Sequence, residues 1–235
     1  VDSAQQGQHF DQLIAADNLI DEATGKVGPR VEAVVDDFNL DARPEVKLSN
    51  DRLVCLLAPA HGGHLYELDV RTICHNLLAT MSRRPESYHR KVAAGARDGQ
   101  ENVASIHDRV VFKQAGLDQR LQYDLYPRKS LVDHFYELDA SHEAVASGAA
   151  PELGDFALGA YEAKLRRAPG RVQTLLTRTG KVGPHTIRLT KGITLEAGSP
   201  ALEITYLLEE IPAEVELHFG VEFNLAGLPS GLDDR

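Results

Sequence analysis

The sequence predicts a mainly β protein, an antiparallel β-sandwich with one helix at its N-terminus and a short helix behind Arg83-Arg84-Pro85-Glu86. Three observations carry that prediction. Short apolar runs bounded by turn-forming residues recur from Arg30 to the end of the chain. Helical periodicity is concentrated at the start, where Phe10, Leu13, Ile14, Leu19 and Ile20 share one spacing. The pair Gly62-Gly63 stands just before the run Leu65 to Val70, and glycine pairs before a strand mark a bulge or a tight backbone approach.

Taken in order, residues 1–9 are polar and expected to fray, and Phe10 to Glu22 form an amphipathic helix ending near Gly25. Strands follow at Val31 to Val35, Val46 to Leu48 and Leu53 to Leu57. A further strand carries Leu65, Glu67 and Asp69 in alternation with Tyr66, Leu68 and Val70. Pro85 suits a first helical position, Glu86 the positive N-terminal end, and Arg90 with Lys91 the later turn, so Pro85 to Ala94 reads as a short helix stopped by Gly95. Later strands are expected at Val110 to Phe112, Leu121 to Tyr123, Tyr161 to Leu165, Val172 to Leu176, Thr186 to Leu195, Leu202 to Leu208 and Val215 to Phe223. Ala140 to Gly154 reads as a loop or weak helix, and Gly180 to Pro184, Gly192 and Gly198-Ser199-Pro200 as punctuation of a late meander.

At 235 residues the chain can bury a sizeable core. The balance of 25 basic against 35 acidic residues, a net charge of −10, argues against nucleic acid and anionic membranes as partners. No apolar run approaches the ~20 residues that span a bilayer. No signal peptide pattern is present, and the first residue is Val rather than Met, so the N-terminus is not expected to be the native start. Cys55 and Cys74 lack metal-ligand spacing and are expected to be buried free thiols in a reducing, cytoplasmic setting.

Residue by residue, His61 to His89 resembles the C-terminal β-sandwich of glycoside hydrolase family 57, the α-amylase and 4-α-glucanotransferase type. The matching residues are Gly62, Gly63, Glu67, Leu68, Asp69, Asn76, Leu77, Arg83, Arg84, Glu86, Tyr88 and His89. Tyr126-Pro127-Arg128 and Leu131-Val132-Asp133-His134-Phe135 extend the resemblance, which runs from about Leu13 to Asn224. It implies a galactose-mutarotase-like supersandwich, with residues 1–25 the last helix of a preceding helical domain and 26–235 the sandwich. Sandwiches of this kind continue for further strands, so a truncated C-terminus is expected. The resemblance also implies N-terminal catalytic and helical domains as partners and an α-glucan oligosaccharide as ligand of the parent enzyme.

Three constellations could carry chemistry. In Asp37, Asn39, Asp41 and Glu45 the oxygen side chains stand at relative positions 1, 3, 5 and 9, the spacing with which one loop wraps a structural Ca²⁺. Against it, Ala42 holds the place that wants glycine, and the alternative is a polar turn between strands. Arg84, Glu86, Tyr88 and His89, joined by Asp133 and His134, could bind sugar hydroxyls, with Tyr88 stacking on a sugar face. The competing reading of the same residues is an internal ion-pair network or domain interface. A glycosidase needs two carboxylates across the scissile bond, and no pair in the sequence is singled out for that task. The resemblance places nucleophile and acid in an N-terminal barrel, so no catalytic residue is assigned here.

The expectation is therefore a non-catalytic sandwich supporting an α-glucan hydrolase or glucanotransferase. The alternatives are a stand-alone carbohydrate-binding module or an aldose 1-epimerase-like enzyme. The last rests on Glu222-Phe223-Asn224-Leu225, which looks like an epimerase segment but carries Gly220 where that segment has its histidine. The other histidines, such as His64, His75 and His218, show no metal-ligand spacing.

Overall fold

Alternation of period two becomes two meanders in the computed structural model, which describes residues 3–86, 89 and 123–226, with side chains from His9 onward. Strands β1 (Val31–Asp36), β2 (Glu45–Asn50), β3 (Leu53–Ala58), β4 (His64–Val70) and β5 (His75–Asn76) form one antiparallel sheet in chain order. Strands β7 (Glu162–Ala168), β8 (Arg171–Val182), β9 (His185–Glu196) and β10 (Glu203–Glu209) form the second meander. A two-stranded sheet pairs β6 (Val132–Tyr136) with β11 (His218–Glu222). Inward positions of β8 and β9, namely Val172, Leu176, Ile187, Leu189, Ile193 and Leu195, meet Val46, Leu48, Cys55 and Leu57 of the first sheet in one core. Burying such side chains yields about 1.5–3 kcal/mol each. The outermost strand β7, EAKLRRA, keeps only Leu165 half-buried, so its charges guard an edge against further pairing.

The chain divides into two compact units, residues 1–80 with 128–235, and residues 81–127. In the first, α1 runs Ser3–Ala23, beginning earlier than expected because Ser, Ala and Gln sustain a helix ahead of Phe10. It ends as expected: Gly25 adopts φ 76° and Lys26 N–H donates to Asp21 O at 2.8 Å. The helix lies against β5 and a 3₁₀ turn at Arg71–Ile73. Its docking is mostly polar: Ile14 is the buried apolar side chain, Asn18 Nδ2 donates to Arg71 O at 3.0 Å, and Arg71 and Arg30 both hold Asp21.

One bulge decides which side chains meet the helix. Leu57 pairs with Leu65 but Leu56 pairs with Glu67, leaving Tyr66 as the extra residue. Leu65, Leu68 and Val70 thereby all reach the core although strict alternation separates them, while Glu67 and Asp69 turn to the other face. Strand β6 was not foreseen as a strand, and α2 (His142–Ala146), capped by Ser141 Oγ, is the weak helix expected between Ala140 and Gly154. Gly180 and Gly192 sit inside β8 and β9 rather than in turns; a Cβ there would come within 2.3 Å of Asp155 Oδ1 and 2.7 Å of Thr205 Oγ1. The hairpin turns use Gly170 and Gly183, both at positive φ. Of the expected helix at 85–94 only Pro85, Glu86 and His89 are described, Pro85 and Glu86 without helical structure; the strand at 110–112 and most of 121–123 lie outside the described residues. Among described residues no helix is long and apolar enough to cross a membrane.

Candidate functional site

Asp133 and His134 are neighbours on β6, so their side chains leave opposite faces of the strand. Asp133 enters the sandwich core, where it is 0% exposed, and meets Lys191, also 0% exposed, at 2.8 Å. Lys191 Nζ completes its donors on Gly62 O at 2.9 Å and Leu131 O at 2.8 Å, and it lies 4.6 Å from the Tyr161 ring centroid. Tyr161 donates to the same Asp133 oxygen at 2.6 Å. Burial pulls the Lys191 ammonium below its ordinary range, with Asp133 opposing, while burial and Asp133 push the Tyr161 phenol up. A buried charge pair of this kind holds because all three ammonium protons find oxygen.

The glycine pair builds the roof of this cluster. Gly62 and Gly63 have φ 65° and 56°, and a Cβ on Gly63 would lie 2.9 Å from Lys191 Cε. The tight approach expected at this pair is therefore an approach to a buried lysine. Beside it His64, 3% exposed, contacts Ala157 O at 2.6 Å, and burial lowers it to about 4, keeping it neutral.

On the other face, His134 bridges two carboxylates: Nδ1 to Glu152 Oε2 at 2.6 Å and Nε2 to Glu222 Oε2 at 3.1 Å. A neutral imidazole can donate to only one of them, so the geometry asks for imidazolium. Burial alone would depress this histidine, but the hydrogen bonds and charges of Glu152 and then Glu222 outweigh burial and raise it to about 9. Glu222 is held below its ordinary range, first by its bond to His134. Glu152 Oε1 also accepts Phe135 N–H at 2.8 Å and Gly154 N–H at 3.0 Å, and Asn224 Nδ2 donates to Glu222 Oε1 at 2.6 Å. The network thus ties β6, β11 and the loop at 152 together. Gly220, the position of the missing epimerase-like histidine, pairs across the strands with His134.

A raised histidine stabilises the fold below its unfolded value of about 6.5 and loses that contribution as pH rises toward about 9. Denaturant melts are therefore expected to show roughly 1–3 kcal/mol less stability at pH 9.5 than at pH 6.5, part of it from this bridge. In His134→Gln that part of the difference should vanish; an unchanged pH slope in the variant would refute the bridge.

In the unit at 81–127, Arg83 holds Asp124 through Nε at 2.9 Å and Nη2 at 2.6 Å, and its own N–H donates to Asp124 Oδ2 at 2.6 Å. His89 Nδ1 accepts Glu86 N–H at 3.1 Å and lies 3.2 Å from Tyr123 Oη. The side chains of Arg84 and Glu86 are exposed. Tyr88 lies outside the described residues. The six glycan or interface candidates are thus divided between the two units, with Asp133 and His134 in the sandwich.

The acidic loop folds on itself. Asp37 accepts N–H groups of Asp41 and Ala42 at 3.0 and 2.9 Å, Asn39 Oδ1 accepts Asp41 N–H at 2.9 Å, and Asp41 Oδ1 accepts Arg43 N–H at 2.9 Å. Glu45 takes Phe38 N–H and Asn39 Nδ2, both at 3.0 Å. Ala42 does adopt the left-handed conformation that glycine would favour, at φ 66°, and so does Leu40 at 61°. Among the described residues no group of three or more His, Cys, Asp or Glu is arranged to hold a metal. Cys55 and Cys74 are free, as expected, but only Cys55 is buried; Cys74 is half-buried.

Sequence reasoning overlooked Lys191, Tyr161 and Glu152. For Lys191 the signal existed, since it occupies an inward position between Leu189 and Ile193 on a strand of period two.

The arrangement defines a class: an antiparallel β-sandwich whose interior charges and flanking carboxylates are engaged in holding its sheets and loops together. The chain belongs to the alpha-amylase/4-alpha-glucanotransferase C-terminal domain family, whose model matches residues 37–235. This is the glycoside hydrolase family 57 type that the motifs resembled. It is similar to an alpha-amylase of Pyrococcus abyssi, 31% identical over 192 residues, covering 81% of this chain and 28% of that protein. A 4-alpha-glucanotransferase of Thermococcus kodakarensis is 32% identical over 193 residues, covering 82% of this chain and 28% of that protein. The crystal structure of 4-alpha-glucanotransferase from Thermococcus litoralis shares the fold with a TM-score of 0.68 at 24% identity, covering 94% of this chain and 29% of that one. The chain thus spans less than a third of the length of these relatives.

Proposed function

We propose that this chain is the non-catalytic C-terminal β-sandwich of an α-glucan-processing hydrolase or glucanotransferase, supporting a catalytic domain and contacting oligosaccharide at most peripherally. What carries the reading is the occupancy of its flanking carboxylates. Glu152 and Glu222 face each other, but the His134 imidazole fills the space between them, where a glycosidase would admit a sugar and water. The names of the relatives supply the polymer class. An exposed apolar flank, with Ile20 of α1 beside Val34 and Phe38, offers the kind of surface a neighbouring domain covers.

Calorimetric titration of the chain with maltooligosaccharides tests the sugar contact. The supporting role predicts no saturable heat; saturable binding would make it a carbohydrate-binding module instead. A structural Ca²⁺ at Asp37, Asn39, Asp41 and Glu45 is a separate proposal, since binding would have to replace the loop's internal hydrogen bonds. It predicts a higher melting temperature in millimolar Ca²⁺ than in chelator, and equal melting in the two would remove the metal.

A further inference from the structure

We propose that docking of α1 on the five-stranded sheet is proton-linked: a proton held on the Asp69 carboxyl seats the helix, and its loss loosens it.

Asp69 is 6% exposed, and its Oδ1 is enclosed with no hydrogen-bond partner among the described residues. An enclosed carboxylate oxygen to which nothing donates is costly, and a proton is the simplest ligand that relieves it. Strand alternation puts Asp69 on the face that carries Glu67, two residues earlier, and the bulge at Tyr66 turns that face away from the core. Asp17 of α1 lines the same cleft as Val54, the strand partner of Asp69. Three carboxylates therefore gather where the helix meets the sheet. Burial, then Glu67, then Asp17 raise Asp69 to about 8, and Glu67 is raised as well, chiefly by burial.

Other charged groups lie nearby, and Lys47 opposes the rise of both Asp69 and Glu67. Asp21 is held by Arg71 and Arg30, and Asp11 lies 3.6 Å from His75 Nδ1. Lys129 donates to Tyr66 O at 3.3 Å, and Lys47 stands 6.0 Å from the Phe38 ring centroid. None of them donates to Asp69 Oδ1.

When the helix lifts, water enters and Asp17 departs, so Asp69 falls back toward the ordinary carboxyl range, with Glu67 still beside it on the strand. Undocking then releases a proton wherever the pH lies between the two values. The opening constant rises by up to about tenfold per pH unit across that window and levels off above the docked value.

Amide hydrogen exchange in the full chain between pH 5.5 and 9.5, corrected for intrinsic rates, reads this directly. Protection of α1 amides, relative to those of β8 and β9, is expected to fall at least about tenfold between pH 6 and 8 and then level off. Asp69→Asn should flatten the dependence. Asp17→Asn, an exposed helix position that leaves the strand untouched, should reduce it, so the test survives if the strand variant fails to fold. His75→Asn should leave it in place. Protection of α1 that ignores pH overturns the proposal. So does a slope that survives in both Asp variants, or one abolished by His75→Asn alone, which would move the linkage to the Asp11–His75 pair.

Discussion

Replacing Lys191 with methionine is expected to destabilise the chain by about 3–5 kcal/mol, because it strands Asp133 as an uncompensated buried charge. Asp133 is 0% exposed, and after the substitution the carboxylate would keep the Tyr161 hydroxyl, with the Tyr206 phenol nearby, but no positive charge. Gly62 O and Leu131 O would lose their donor at the same time. The companion Lys191→Met/Asp133→Leu removes both charges and is expected to recover most of the loss, since a buried pair exchanged for apolar groups of similar size is often neutral. Equilibrium denaturation of wild type, both single variants and the double variant closes the cycle. A cost below about 1 kcal/mol for Lys191→Met would mean that the pair does not organise the core.

Gly62→Ala should be nearly as damaging. At φ 65° an alanine carries a strain of about 1–2 kcal/mol before any contact is counted. Its Cβ would also sit 2.2 Å from both Ala157 O and His64 Nε2, driving between two atoms that now lie 2.6 Å apart. Loss of that buried contact adds about 1–3 kcal/mol, for a total of roughly 2–5. Gly148→Ala is the control: its φ is 73°, but nothing lies within 4 Å of the added carbon, so only the strain should appear. Equal melting losses in the two variants would show that the close approach at Gly62 contributes nothing.

These two residues also show how far the sequence could be read. Gly62-Gly63 announced a close approach, because glycine pairs beside a strand have few other uses, but not what was approached. Lys191 stood at an inward position of an apolar strand and was legible from alternation; its partner Asp133 was not, because β6 is only five residues long and its pairing strand β11 lies far along the chain. The two meanders followed from local turns and period-two runs, which is why β9 and β10 fall close to their expected places, while β8 runs on past Leu176 to Val182. The bulge at Tyr66 was invisible, since one extra residue alters the facing of Glu67 and Asp69 without changing composition. The acidic loop had the spacing of a cation site, but spacing cannot tell whether oxygens converge on a metal or on backbone N–H groups, as those of Asp37 and Glu45 do. His134 and Glu222 each had a legible position, yet their meeting depends on the β6–β11 register and their third partner on the loop at 152.

The central claim, that no sugar bond is cut or transferred by these strands, is best tested by incubating the folded 235-residue chain with maltoheptaose and following chain lengths by chromatography. The account predicts an unchanged distribution with no new reducing ends. Shorter or redistributed oligosaccharides that vanish with Glu222→Gln or Glu152→Gln would contradict it.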